Sequence, residues 1–420
     1  MKITEALFTP ALSSFYFDDQ AAIKAGAEQD GFIYVGKAKT PGFDRIRQSG
    51  EAVSVLLKLQ NGLWAEGDCA AVQYSGAGGR DPLFTAAGYI PWMQEVLRPL
   101  LIGRDVAEFM GNARYFDRLE QDGNRIHTAI RYGLSQALLD ATAKASGRLK
   151  VEVVCDEYGL PIELKPLALF GQSGDDRYNA VDKMVMKGVD ALPHGLINNV
   201  ASKLGRNGGK LQEYMTWLTQ RILQLRSDAS YSPVLHVDVY GTIGMIFAND
   251  HGKISAYLAG LGERVSPFEL YIEGPVDAGS KPRQIALLKE IREALRARSS
   301  SVKIVADEWC NTYQDIVEFV DAECCDMVQI KTPDLGSIHN TVEAVLYCRE
   351  HGVEAYQGGT CNETDVSART CLHVAQATRP QRVLVKPGMG FDEGMTIVAN
   401  EMRRNLAILQ AKNASVSVMT

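Results

Sequence analysis

From about residue 165 onward, a short apolar run is followed by a helical stretch, again and again, and this beat constrains the fold more than any other feature of the chain. The runs are PLALFGQ, VLHVDVYG, FELYIEGP, VKIVADEW, DMVQIKT, VEAYQGGT and RVLVKPG, with helical stretches such as GSIHNTVEAVLYCREHG between them. Alternation of this length predicts a parallel sheet covered by helices. Seven recognisable units, plus one or two irregular ones, predict a closed (β/α)8 barrel rather than an open sheet. The fold class is therefore α/β, with an N-terminal α+β domain over residues 1–160, the barrel over 161–411 and a frayed tail over 412–420.

The first third has no regular beat. AVSVLLKLQNGLWAEGDCA reads as a hairpin with Asn61-Gly62 at its turn. Residues 124–146 read as a helix closed by Gly147. Bulk properties exclude several classes. A net charge of −7 without a basic stripe argues against nucleic-acid binding. The N-terminus has no basic segment followed by a long apolar one, and no apolar run approaches the roughly 20 residues that cross a bilayer. A cytoplasmic protein is expected. The eight cysteines form no CxxC pair, so buried, reduced thiols are expected.

The chemistry lies at the strand ends. Asp238 ends HVD, Glu273 ends YIE, Asp307 ends VAD and Lys331 ends QIK, at separations of 35, 34 and 24 residues, about one βα unit each. Consecutive barrel strands bring such residues to one face, where barrel enzymes keep their sites. Each acid alone is an ordinary helix cap or ion-pair partner. Three in succession repel one another unless a cation lies between them. Oxygen ligands without His or Cys favour Mg2+ or Mn2+ over zinc. In DMVQIKT, alternation turns Val328 and Ile330 one way, and Gln329 and Lys331 the other. By the same parity Tyr271 goes with Glu273, His236 with Asp238, Phe170 with Gln172, and Tyr356 with Thr360. A mouth lined by amide, hydroxyl and aromatic groups suits a small polar ligand with one apolar substituent.

Three acids followed by a lysine resemble the enolase superfamily. The strings AAVQYSGAGGRDPLF, QSGDDRY, HVDVYGTIG, IEGP, VADEWCNT, VQIKTPDLG, GGTCNET and KPGMGFDEGM resemble the methylaspartate ammonia-lyase family, from residue 1 to about residue 411. The resemblance implies an enolase-like fold in which the N-terminal domain caps the barrel. It implies reversible loss of ammonia from 3-methylaspartate to give mesaconate in glutamate fermentation. A homodimer, Mg2+ (with Mn2+ as a substitute) and activation by K+ are further implications. Carried over by residue, the metal ligands are Asp238, Glu273 and Asp307. Lys331 is the base for the 3S epimer, and His194, in a loop between barrel units, is the group on the opposite face. Gln172, Gln329, Thr360 and Cys361 contact the substrate carboxylates, with Gln329 as a donor. Gln73 lies beside the amino group, and Phe170, Tyr356 and Leu384 hold the methyl group. After His194 stands Gly195, where the resemblance leads one to expect Ala. A lysine acting as base must be neutral, so its value should fall from about 10.4, and burial beside a dication predicts that fall.

Other signals are weaker. Ala145-Ser146-Gly147 is the tripeptide that aromatic amino-acid ammonia-lyases cyclise, but here it ends a long helix. Ser173-Gly174-Asp175 reads as the loop after Gln172. GRNGGK at 205–210 lacks both the preceding strand and the following Ser or Thr of a phosphate loop. SGAGG at 75–79 reads as a mobile loop closing over the mouth. A racemase, dehydratase or cycloisomerase of the same superfamily would share the acids and the lysine. It would have no use for the Gln172, Thr360 and Cys361 set. A Schiff-base aldolase would use Lys331 without metal, and a non-catalytic binder would show no proton exchange at C3.

Overall fold

A computed structural model describes residues 1–77 and 79–419, with side chains through 414. Its first unit is a three-stranded antiparallel sheet in the order β1 (Ile3–Asp18), β2 (Arg47–Leu59), β3 (Trp64–Ala70). The expected hairpin is β2–β3, with Lys58 opposite Trp64 and Gly62 at φ 85° in its turn. Alternating residues of β2, among them Val53, Val55 and Leu57, are buried beneath the Thr128–Ser146 helix. That helix starts four residues later than the sequence suggests. Asn124 and Arg125 pair in a short strand, and the His127 ring caps the first turn by accepting from the Ala129 amide. Gly147, at φ 65°, ends it. Helix and sheet meet backbone to backbone: a Cβ on Gly67 would lie 2.2 Å from the Gly133 carbonyl oxygen, and one on Gly133 would lie 2.3 Å from the Cys69 nitrogen.

The second unit is a closed barrel of eight parallel strands paired in chain order: β4 (Leu169–Phe170), β5 (Ala191–His194), β6 (Val234–Asp238), β7 (Leu270–Glu273), β8 (Lys303–Ala306), β9 (Met327–Ile330), β10 (Glu354–Gln357) and β11 (Arg382–Leu384). Seven of these fall within the seven apolar runs. The eighth, β5, does not appear as a strand in the sequence because Pro193 interrupts ALPH and removes a backbone donor. His194, expected in a loop, therefore ends a barrel strand, in register with Val237 of β6. Outward residues such as Val328 and Ile330 join the main core under the helices, while Phe170, Tyr271, Met327 and Tyr356 fill the lumen, as alternation requires.

The first unit packs on the barrel helices Ile338–Glu350 and Asp365–Thr378 through Ile338, Val342, Cys371 and Val374. The tail expected to be frayed carries helical backbone, since the last helix runs Phe391–Met419; Thr420 lies outside the described residues. All eight cysteines are free and buried. Among the described residues no helix is long and apolar enough to cross a membrane.

Candidate active site

The strand ends divide the barrel mouth into sectors. β6, β7 and β8 supply Asp238, Glu273 and Asp307; β9 supplies Lys331 and β5 supplies His194. In a ring of eight, β5 and β9 are four strands apart, so His194 and Lys331 stand on opposite sides with the acids between them. The remaining arc, β10, β11 and β4, brings Thr360, Cys361, Leu384 and Gln172. A cavity of about 740 Å3, open mouth included, is lined from all these sectors and by Gln73 and Arg80 of the first unit.

Glu273 is fully buried and held from every side. Its carboxylate accepts from Tyr356 Oη at 2.8 Å, from Gln329 Nε2 at 2.8 Å, and pairs with His236 Nε2 at 2.8 Å. His236 is fixed in turn by stacking on Phe170, with ring centres 4.4 Å apart. Asp238 accepts from the Tyr240 amide and lies 3.6 Å from His194 Nε2. Desolvation, and then the charge of neighbouring acids, drives both Asp238 and Glu273 well above the usual carboxylate range. The protein thus gathers more carboxyl groups than it can readily hold ionised together.

These donors fit a hard divalent cation, because buried carboxylates that resist joint ionisation are stabilised by positive charge among them. Ligand atoms of His194, Asp238 and Glu273 lie within 4.8 Å of one another. Asp307 is not in that group, unlike the expected triad. Its carboxylate accepts from Lys331 Nζ at 2.6 Å, since an ammonium is the nearest available counter-charge.

Without a cation beside it, that ion pair acts against the fall expected for Lys331. Burial acts to lower Lys331, but Asp307, Glu308 and Asp334 outweigh it and hold the ammonium above its ordinary range. His194 behaves oppositely. Burial brings its imidazole down to about 4, so it is neutral near pH 7. His194, Gly195 and Leu196 run through the left-handed region at φ 65°, 83° and 48°. Gly195 suits that run better than the expected Ala, whose Cβ is strained there.

The structure brings most of the expected substrate contacts to the cavity. Gln172 donates to the Gly388 carbonyl at 2.7 Å, and the Cys361 thiol donates to Gln73 Oε1 at 3.4 Å. Burial pushes that thiol up to about 12. Gln329, expected as a donor to substrate, lines the cavity. Its amide nitrogen is engaged by Glu273 and the Tyr356 hydroxyl, and Oε1 has no partner. Of the three residues expected around the methyl group, only Leu384 lines the cavity; Phe170 and Tyr356 lie a layer deeper, around Glu273.

Sequence reasoning passed over Arg80, Tyr240, Glu308 and Met389 in the lining. Tyr240 was readable, since it follows Asp238 by two residues, and Glu308 as the second acid of VADEW. Arg80 and Met389 carry no such signal. Arg80 donates to Asp334 at 2.9 Å and fastens the end of the 75–79 loop to the barrel; Gly78 within that loop lies outside the described residues. Lys386 was also missed, although it ends RVLVK as Lys331 ends MVQIK. Ser146 bonds its own helix through the Thr142 carbonyl, Ser173 bonds the Gly174 carbonyl, and 205–210 leads into the Gly209–Leu225 helix without a strand before it.

Family models for the methylaspartate ammonia-lyase N-terminus and C-terminus match residues 1–159 and 161–411. The chain is 66% identical over 413 residues to methylaspartate ammonia-lyase of Citrobacter amalonaticus, covering 98% of this chain and 100% of that one. The crystal structure of that protein containing (2S,3S)-3-methylaspartic acid superposes with a TM-score of 0.97 over the same shares. The Mg complex of β-methylaspartase from Clostridium tetanomorphum is 51% identical, with a TM-score of 0.94, covering 98% of this chain and 100% of that one. At 16% identity, the L-Ala-D/L-Glu epimerase of Bacillus subtilis shares the fold, with a TM-score of 0.65 over 93% of this chain and 92% of that one.

Proposed function

The chain belongs to the methylaspartate ammonia-lyase family, and from that premise we propose that it eliminates ammonia reversibly from 3-methyl-L-aspartate to give mesaconate, with Lys331 as the base at C3 for the 3S epimer. One observation carries the reading: Lys331 and His194 face each other across a floor of buried carboxylates at the mouth of the barrel.

A hydrogen on C3, beside a carboxylate, is a very weak acid. Its removal leaves an aci-carboxylate, with negative charge growing on oxygen in the transition state. A divalent cation held by Asp238, Glu273 and Asp307 would supply positive charge beside those oxygens and relieve Asp307 of its pairing with Lys331. Lys331, freed from that pair and neutral beside the added positive charge, takes the C3 proton onto its amine from its side. The electron pair left behind forms the C2=C3 bond as the C2–N bond breaks and ammonia leaves. His194, already neutral, serves the 3R epimer from the other side. Gln172, Thr360 and Cys361 hold the carboxylates, and Gln73 meets the amino group. Leu384 packs on the methyl group, while Phe170, Tyr356 and Gln329 act from beneath by fixing Glu273.

The division at residues 160/161 belongs to the same proposal, as do a cytoplasmic homodimer, activation by K+ and replacement of Mg2+ by Mn2+. An ultraviolet assay for mesaconate from 3-methylaspartate, with and without Mg2+, tests the reading. Mg2+-dependent formation is expected; no product from either epimer would overturn it.

A further inference from the structure

Asp18 ends β1 directly opposite Arg47 of β2, and the two form a bidentate pair: Arg47 Nε donates to Oδ1 and Nη2 to Oδ2, each at 2.7 Å. The pair is almost wholly withdrawn from water, at 9% exposure for Arg47 and 2% for Asp18. The guanidinium packs over Phe32 and Tyr34 and donates its remaining arm to the Phe32 carbonyl. A buried, doubly bonded carboxylate with so rigid a partner has one fixed orientation.

The same Asp18 oxygen reaches the cavity wall. Gln73 Nε2 donates to Oδ2 at 2.7 Å, and the Asp18 amide donates to the Gln73 carbonyl at 3.0 Å. Backbone and side chain of Gln73 are thus pinned by one residue. A carboxylate only accepts, so the Gln73 group facing it must be the NH2. Flipping the amide would set two acceptors 2.7 Å apart. The carbonyl oxygen is left toward the cavity, where the Cys361 thiol reaches it.

An aminodicarboxylate brings two carboxylates, an alkyl group and an ammonium, and only the ammonium donates. We infer that Asp18, locked by Arg47, is a positioning residue that holds the Gln73 carbonyl oxygen toward the amine, so that the first unit selects for an N–H donor at C2. This rests on the proposed ammonia-lyase activity. Neither Asp18 nor Arg47 lines the cavity, so both act through Gln73.

The test runs the reaction in the addition direction on the full-length Mg2+-loaded protein, measuring KM for ammonia and for mesaconate separately. Asn at position 18 offers both a donor and an acceptor, which frees the Gln73 amide to flip. Asp18→Asn is expected to raise KM for ammonia roughly tenfold to a hundredfold, the span of one hydrogen bond to a charged group, with KM for mesaconate within about twofold. Arg47→Lys, which keeps the charge but loses the fork, should give a smaller shift in the same parameter, and it serves as the test if Asp18→Asn fails to fold. On a Gln73→Ala background, Asp18→Asn should have no further effect on KM for ammonia. Equal rises in both KM values, an unchanged KM for ammonia, or full persistence of the effect without Gln73 would overturn the inference. Absence of addition by the wild type would instead overturn the ammonia-lyase reading.

Discussion

Lys386 and Glu363 lie 2.7 Å apart, and two strands away Lys331 and Asp307 lie 2.6 Å apart. The first pair is complete in itself. The Lys386 ammonium donates to Glu363, to Thr332 Oγ1 at 2.8 Å and to the Gly358 carbonyl at 2.6 Å, which uses all three hydrogens. Glu363 accepts further from Tyr132 of the first unit at 2.9 Å and from Ser367 at 3.1 Å. Gly359 has no Cβ because one would sit 2.4 Å from both Lys386 Nζ and Glu363 Oε1. The second pair belongs to a group with Asp238, Glu273 and Glu308, in which one ammonium faces four acids. Charge balance separates structure from function here. The satisfied cluster holds the loops carrying Lys331, Thr360 and Cys361 in place, and the unbalanced one is the cluster to which the proposed function assigns the cation.

The largest expected effect breaks the unbalanced cluster. Asp238→Ala, or removal of metal by a chelator, should cut turnover at least about a thousandfold, because the cation's stabilisation is worth several kcal/mol. Thermal melting without metal should stay level or rise, since one repelling acid is gone. A fall in melting temperature with activity intact would erase the contrast.

Next come the two sides of the mouth. Lys331→Ala should lower turnover of the 3S epimer by about 10²–10⁴-fold, the usual share of a positioned base, while sparing part of the 3R reaction. His194→Ala should do the reverse and make ammonia addition to mesaconate more diastereoselective. Equal losses of both epimers in each variant would mean that one base serves both faces.

The satisfied cluster should fail differently. Glu363→Ala leaves Lys386 charged, buried and unpaired, at a cost of about 3–5 kcal/mol in stability by denaturant titration. A stable protein with specifically lost proton transfer would move Lys386 from scaffold to chemistry.

The smallest effect lies on the apolar side. Leu384→Ala should shift preference toward larger C3 substituents by roughly 10- to 200-fold per group, as one or two methylenes allow. Competition between 3-methylaspartate and a 3-alkyl homologue measures it; an unchanged ratio would place Leu384 outside the pocket.

The acids and Lys331 were legible because a strand alternates with period two and a barrel repeats once per βα unit. Those two rules set direction and level without any coordinates. Partner choice was not legible. That Asp307 turns to Lys331, and that Gln329 commits its nitrogen to Glu273, depends on which neighbours three separate strands bring within reach. β5 was hidden by Pro193, which took His194 with it. Asp18 left no trace at all, because its pairing with Arg47 depends on a register shift between Leu12 and Tyr16.

The close approach of Gly67 to Gly133 has a consequence for how such a protein can change over generations. The nearest atoms that a methyl group would strike at either position belong to backbone, so trimming a neighbouring side chain offers no sufficient relief. No single substitution at Gly67 or Gly133 leaves the helix where it is, and β3 runs from that contact to within three residues of Gln73. Variation in substrate range is therefore channelled toward residues such as Leu384, which border the cavity, and away from the junction that leads to the Gln73 amide.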